Sequence, residues 1–194
     1  LQKAVHSPYP PFSRLGLNDA SGEPLQINDH VLQIENEYYS LVRPKQVPHA
    51  GETPSQALQN RGVGYVELRA VDVNPYSAIG VNETTAGFLE ALALYCLLSD
   101  SPELLCPEQD LIEKNQTEVV NRGRAPNATI TDLNGSYHIE DWARQHISKM
   151  QDCARLLDQT YATDLYSSAL AVMQERIDEV DETLSAHVID DTLK

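Results

Sequence analysis

The stretch YVELRAVDVNP, residues 65–75, sets a carboxylate and a guanidinium two residues apart in a run that otherwise reads as a buried β-strand. Alternate side chains of a strand point to opposite faces, so Tyr65, Glu67, Arg69 and Val71 share one face, and Val66, Leu68, Ala70 and Asp72 share the other. The second face is mostly apolar. The first carries opposite charges roughly 7 Å apart, about two strand rises. Charge on an element built for burial needs a partner, and a ligand can be that partner.

A second stretch, NDHVLQIENEYYSLVRPK (28–45), shows the same alternation: Leu32, Ile34 and Tyr38 face one way, and Gln33, Glu35, Glu37 and Tyr39 the other. The pattern predicts a strand. If both strands lie in one sheet with their polar stripes together, Glu35, Glu37, Tyr39, Glu67 and Arg69 collect on one face. Oxygen-rich sites suit Mg²⁺, which takes a few carboxylates plus substrate phosphates, and a neighbouring arginine suits phosphoryl transfer. A structural Glu67–Arg69 ion pair and a solvent-facing strand satisfy the same pattern.

The elements that position these residues follow from their neighbours. GETPSQALQNRG (51–62) has a capping Thr53, Pro54 in the first turn, Gln56 to complete a capping box and Gly62 as a stop, so a short helix leads into the Glu67 strand. Residues 6–24, rich in Pro, Gly, Ser and Asn, read as mostly irregular. From Asn82 the period becomes helical. An apolar helix follows that cap and is expected to be buried all round, and residues 107–123 form a more polar helix. Residues 124–136 read as an irregular or weakly extended link. Ile139, Trp142, His146, Met150, Cys153 and Leu157 mark one amphipathic helix over 139–161, and Leu165, Ala169, Val172, Arg176 and Val180 another over 165–180. The expected class is α+β, with an antiparallel sheet portion over 1–81 and packed helices over 82–194 of the same domain.

Composition excludes several functions. The 194 residues are 41% hydrophobic and 22% charged, close to globular averages. The net charge of −15 is uneven: residues 1–75 hold six Lys/Arg against eight Asp/Glu, giving −2, and the rest carries −13. Without a basic stripe, neither nucleic acid nor an anionic membrane is an expected partner, and a phosphate-bearing ligand belongs to the first part. The sequence lacks a P-loop, a dinucleotide-binding glycine pattern and a nucleophile elbow. Cys96, Cys106 and Cys153 show no C-x-x-C spacing, and the two in apolar helical patterns are expected to be buried free thiols. The histidines make no metal-binding pattern, although His138 and His146 could share a helix face. With no apolar signal segment in LQKAVHSPYPPF, a soluble cytoplasmic protein is expected.

LQINDHVLQIENEYYSLVRPK, GETPSQAL and GVGYVELRAVDVNPYSAIGV together resemble the proteobacterial glutamate–cysteine ligases, most densely over residues 24–98. That family builds a glutamine synthetase-like funnel on an antiparallel sheet with helices outside. The resemblance implies ATP and Mg²⁺ as the means of phosphorylating the γ-carboxylate of L-glutamate, with the amine of L-cysteine then displacing phosphate. It places Glu67 at a metal-ligating glutamate, Arg69 at an arginine directed at the transferred phosphate, and Tyr39 at a tyrosine of the cysteine pocket. Arg43 and Lys45 are further candidates for phosphate or for a structural pair. It also implies that the remaining metal carboxylates, and the arginine that grips glutamate, lie upstream of Leu1. A fragment of the enzyme, inactive alone, is therefore expected. A related carboxylate–amine ligase with another amine acceptor and a non-catalytic helical interaction domain stand as alternatives.

Overall fold

Short polar side chains decide where the first strand can begin. In the computed structural model, which describes residues 2–194, Asn28 accepts from His30 N (2.9 Å) and donates to the Gln33 carbonyl (2.9 Å). Glu37 accepts from Gln33 N at 2.6 Å and reaches Ile34 N at 3.4 Å. These local bonds take backbone groups that a ladder would need. The alternation over 28–45 therefore gives a strand only at β1 (Val42–Lys45), preceded by a tight 3-10 turn at Glu35–Glu37. Irregular chain earlier on includes two short helices, α1 (Gln2–His6) and α2 (Pro10–Leu15), the second opened by the Pro10–Pro11 pair.

Helix α3 (Pro54–Arg61) forms as its sequence predicts. Thr53 Oγ1 accepts from Gln56 N, Gln56 Oε1 accepts from Thr53 N at 2.9 Å, and Gly62 ends the helix at φ 71°. Arg61 in its last turn clamps Glu52 at 2.7 Å and the Val47 carbonyl at 2.7 Å. The chain then enters β2 (Tyr65–Leu68), antiparallel to β1 with Arg43 opposite Glu67 and Lys45 opposite Tyr65. One more ladder bond, Arg69 N to the Leu41 carbonyl at 2.7 Å, fixes Arg69 beyond the strand end. Pro75, which has no N–H, and the Asn74 side chain, which accepts from Tyr76 N at 2.9 Å, stop the extended run there.

These elements belong to a compact unit ending at Asp72; Val73–Lys194 form a second. In the second, α4 (Glu83–Leu98), α6 (Ile139–Tyr161) and α7 (Leu165–Asp178) pack around Ala91, Ile147, Met150, Ala154, Tyr166 and Leu170. Gly87 lets α4 approach α7 closely, because a Cβ there would stand 3.1 Å from Leu165 Cγ. Asn82 caps α4 by accepting from Thr85 N at 2.9 Å.

Three expectations are corrected in this unit. Helix α4 buries one stripe, not its whole circumference: Leu97 and Leu98 at its end are 79% and 66% exposed, and Cys96 is exposed while Cys153 is buried. The segment after α5 (Cys106–Arg122) contains a hairpin, β3 (Thr129–Thr131) with β4 (Ser136–His138). Its turn is closed by Asp132, whose carboxylate accepts from Asn134 N and Gly135 N; Asn-Gly between alternating residues is a hairpin signal. A last helix, α8 (Leu184–Leu193), is capped by Thr183 and lies beyond the elements expected from the sequence. His138 precedes the first residue of α6, so it does not share a helix face with His146, whose ring packs on Trp142 at 4.1 Å.

Candidate active-site face

The β1–β2 register settles which side chains meet. Residues opposite one another in an antiparallel pair point to the same face, so Arg43 and Lys45 share a face with Tyr65 and Glu67. Glu67 lies between two cations on it. Arg69 Nη2 stands 3.0 Å from Glu67 Oε1, and Lys45 Nζ stands 3.3 Å from Oε2. The Glu67 and Arg69 side chains keep 35% and 32% of their surface, so a small ligand can reach both.

The two oxygens of Glu67 differ. Oε1 takes the Arg69 hydrogen bond, whereas Oε2 is withdrawn from solvent and has no hydrogen bond; Lys45 is at ion-pair distance but poorly aligned. The Arg69 hydrogen bond, against some desolvation and with help from Lys45, holds the Glu67 carboxyl below its usual range, so it is ionised at neutral pH. An ionised carboxylate oxygen that lacks a hydrogen bond and faces only the Lys45 ammonium keeps donor capacity for a cation.

Tyrosines frame the cations. The Arg69 guanidinium lies over the Tyr39 ring at 5.7 Å, and the Arg43 guanidinium over the Tyr38 ring at 6.0 Å. Beside them, a cleft of about 410 Å³ is lined in part by Glu35, Tyr38, Arg43, Lys45, Ser55 and Gln59.

Of the residues expected to gather on one face, Glu67, Arg69 and Tyr39 do meet. Glu35 and Glu37 do not join them: Glu35 binds Ser55 at the start of α3, and Glu37 binds backbone N–H groups of its own turn. The strand that would have aligned them is replaced by the 3-10 turn. Sequence reasoning also left open that Lys45 is the second cation on Glu67. The alternation of Arg43 and Lys45 in the RPK triplet carries that signal, because it matches the alternation of Glu67 and Arg69 across the ladder.

Mg²⁺ is commonly held by one or two carboxylates together with phosphates. Glu67, an ionised carboxylate whose Oε2 lacks a hydrogen bond, beside two cations that suit phosphate, fits as one such ligand. Among the described residues there is no group of three His, Cys, Asp or Glu that could hold a metal unaided.

Known proteins resemble this chain in sequence and in fold. A family model described as glutamate-cysteine ligase matches residues 1–119. The chain is 42% identical over 189 residues to the glutamate–cysteine ligase of Pseudomonas putida, covering 97% of this chain and 36% of that protein. It is 38% identical over 194 residues to that of Alcanivorax borkumensis, covering 98% and 37%. The 2.0 Å crystal structure of a Francisella tularensis glutamate–cysteine ligase in complex with AMP superposes with a TM-score of 0.86 at 32% identity, over 97% of this chain and 37% of that one. The chain thus spans little more than a third of the length of these relatives. The family match, the identity to these relatives and the α+β fold agree: the chain belongs to the glutamate–cysteine ligase family.

Proposed function

We propose that a protein carrying this chain joins L-cysteine to the γ-carboxylate of L-glutamate at the expense of ATP, the first step of glutathione biosynthesis. The observation that carries this reading is the ionised Glu67 carboxylate set between Lys45 and Arg69 on the β1–β2 face, with Oε2 left without a hydrogen bond. A free carboxylate is a poor acyl donor, and transfer of the γ-phosphoryl group of ATP to the glutamate γ-carboxylate makes it a good one. The cysteine amine then attacks the acyl carbon, and phosphate leaves with the electron pair of the broken C–O bond.

Each residue has a task in this scheme. Glu67 would help hold Mg²⁺, and the ion would supply positive charge to offset that of the triphosphate. Arg69 offers guanidinium N–H donors to the phosphoryl group in flight, where negative charge spreads over the equatorial oxygens. Its position does not depend on the ligand, since Glu67 and the Tyr39 ring already hold it. Tyr39 lines the cysteine pocket next to that arginine. Arg43 and Lys45 are assigned to phosphate oxygens, Lys45 also balancing Glu67. The free thiol of the substrate and the use of ATP suit a reducing cytoplasm.

A single carboxylate does not complete an ATP–Mg²⁺ site. We assign the further metal carboxylates and the glutamate-binding arginine to the part of the relatives' length that these residues do not span. The 194 residues alone are therefore expected to give no turnover. A protein of the relatives' full length that carries them is expected to release ADP only when Mg²⁺, L-glutamate and L-cysteine are all supplied. ADP release that is indifferent to omission of either amino acid would refute the ligase reading.

A further inference from the structure

Tyr39 is 65% exposed, so packing does not fix the residue that we place in the cysteine pocket. Two features constrain it. One is the Arg69 guanidinium beneath its ring. The other is the 3-10 turn four residues earlier, in which Tyr38 N donates to the Glu35 carbonyl at 3.2 Å. That turn is itself tied down by the Glu35 side chain: Oε2 accepts from Ser55 N at 3.0 Å and Oε1 from the Ser55 hydroxyl.

Ser55 sits in the first turn of α3, where backbone N–H groups have no partner within the helix and negative charge is favoured. The Thr53–Gln56 capping box already satisfies the groups at Thr53 N and Gln56 N, and Glu35 takes the one between. Burial opposes the charge on Glu35, but the Ser55 hydroxyl and amide more than offset it, so its carboxyl lies below the usual range. Both oxygens are engaged, so this carboxylate is a clamp between a loop and a helix end.

We infer that Glu35 is a positioning residue for cysteine recognition: by clamping the Glu35–Glu37 turn to the start of α3, it holds Tyr39 against Arg69. The inference rests on the ligase reading for what Tyr39 contacts, and on geometry alone for the clamp. Glu35 touches no reacting atom in this account. Its loss acts through Tyr39, on binding of one substrate more than on the chemical step.

The test uses Glu35→Gln, which keeps size and loses charge, with Ser55→Ala as the variant on the other side of the clamp, both in a protein of the relatives' full length. Glu35→Gln is expected to raise KM for L-cysteine about tenfold, with kcat and the KM values for L-glutamate and ATP within about twofold. Ser55→Ala is expected to give a smaller rise of the same kind, since the Ser55 amide remains. Amide hydrogen exchange is expected to quicken about tenfold across residues 36–41 in Glu35→Gln, with the α6 core unchanged. Unchanged exchange over 36–41 would overturn the clamp whatever the kinetics. Quickened exchange with no selective rise in cysteine KM would overturn the role in cysteine recognition. A parent protein whose ADP release ignores cysteine would defeat the ligase reading and the cysteine role with it, while the exchange result would still judge the clamp.

Discussion

Glu67→Gln in a protein of the relatives' full length is expected to cut cysteine-dependent ADP release by about 10³-fold or more. The substitution preserves shape and backbone, so the β1–β2 ladder, whose bonds are all main-chain, is retained. What changes is charge. An amide in place of the carboxylate cannot balance Lys45 and Arg69 at once, and its oxygen is a weak cation ligand compared with an ionised Oε2. The effect is expected mainly in kcat, and raising Mg²⁺ should recover only part of it. A folded Glu67→Gln variant with parental turnover would reduce the triad of Lys45, Glu67 and Arg69 to a structural ion-pair network.

The second large effect concerns Arg69. Arg69→Ala is expected to lower kcat by about 10²-fold to 10³-fold, the range seen when a charge-stabilising donor is removed from a transition state. Arg69→Lys should restore little. A lysine supplies the charge but neither the planar fork that donates to Glu67 nor the flat surface that lies on Tyr39. Because Arg69 also supports Tyr39, KM for cysteine should rise in both variants, which separates Arg69 from Glu67 kinetically. Steady-state measurement of kcat and of each KM checks this. Equal activity of Arg69→Lys and the parent would show that charge alone matters at this position.

How much of this was legible in the sequence depends on the range over which each residue acts. Helix α3 could be read to the residue, since its capping box, its N-terminal proline and its terminal glycine are all local signals. The Ile139–Tyr161 helix was equally plain from its stripe. Glu67 and Arg69 stood out because unlike charges interrupted an apolar run, and the structure brings them to 3.0 Å. The first strand was overextended because alternation cannot reveal that Asn28 and Glu37 bond to nearby backbone and consume the donors a ladder needs. For the same reason Glu35 was grouped with the ligand-facing carboxylates, whereas its partner, Ser55, lies 20 residues further on. The exposed end of α4 eluded composition as well, since an apolar residue is the same letter whether or not a neighbour covers it.

The most direct test of the central claim follows an oxygen atom. L-glutamate labelled with ¹⁸O in its γ-carboxylate is incubated with ATP, Mg²⁺ and L-cysteine and a protein of the relatives' full length, and the phosphate released is weighed by mass spectrometry. If the γ-carboxylate is phosphorylated on the face that Glu67 and Arg69 define, one labelled oxygen stays with each phosphate when the cysteine amine displaces it. That label should depend on cysteine and vanish in parallel with turnover in Glu67→Gln. Unlabelled phosphate from an active protein would contradict phosphorylation of glutamate, and labelled phosphate at undiminished rate from Glu67→Gln would take this strand face out of the reaction.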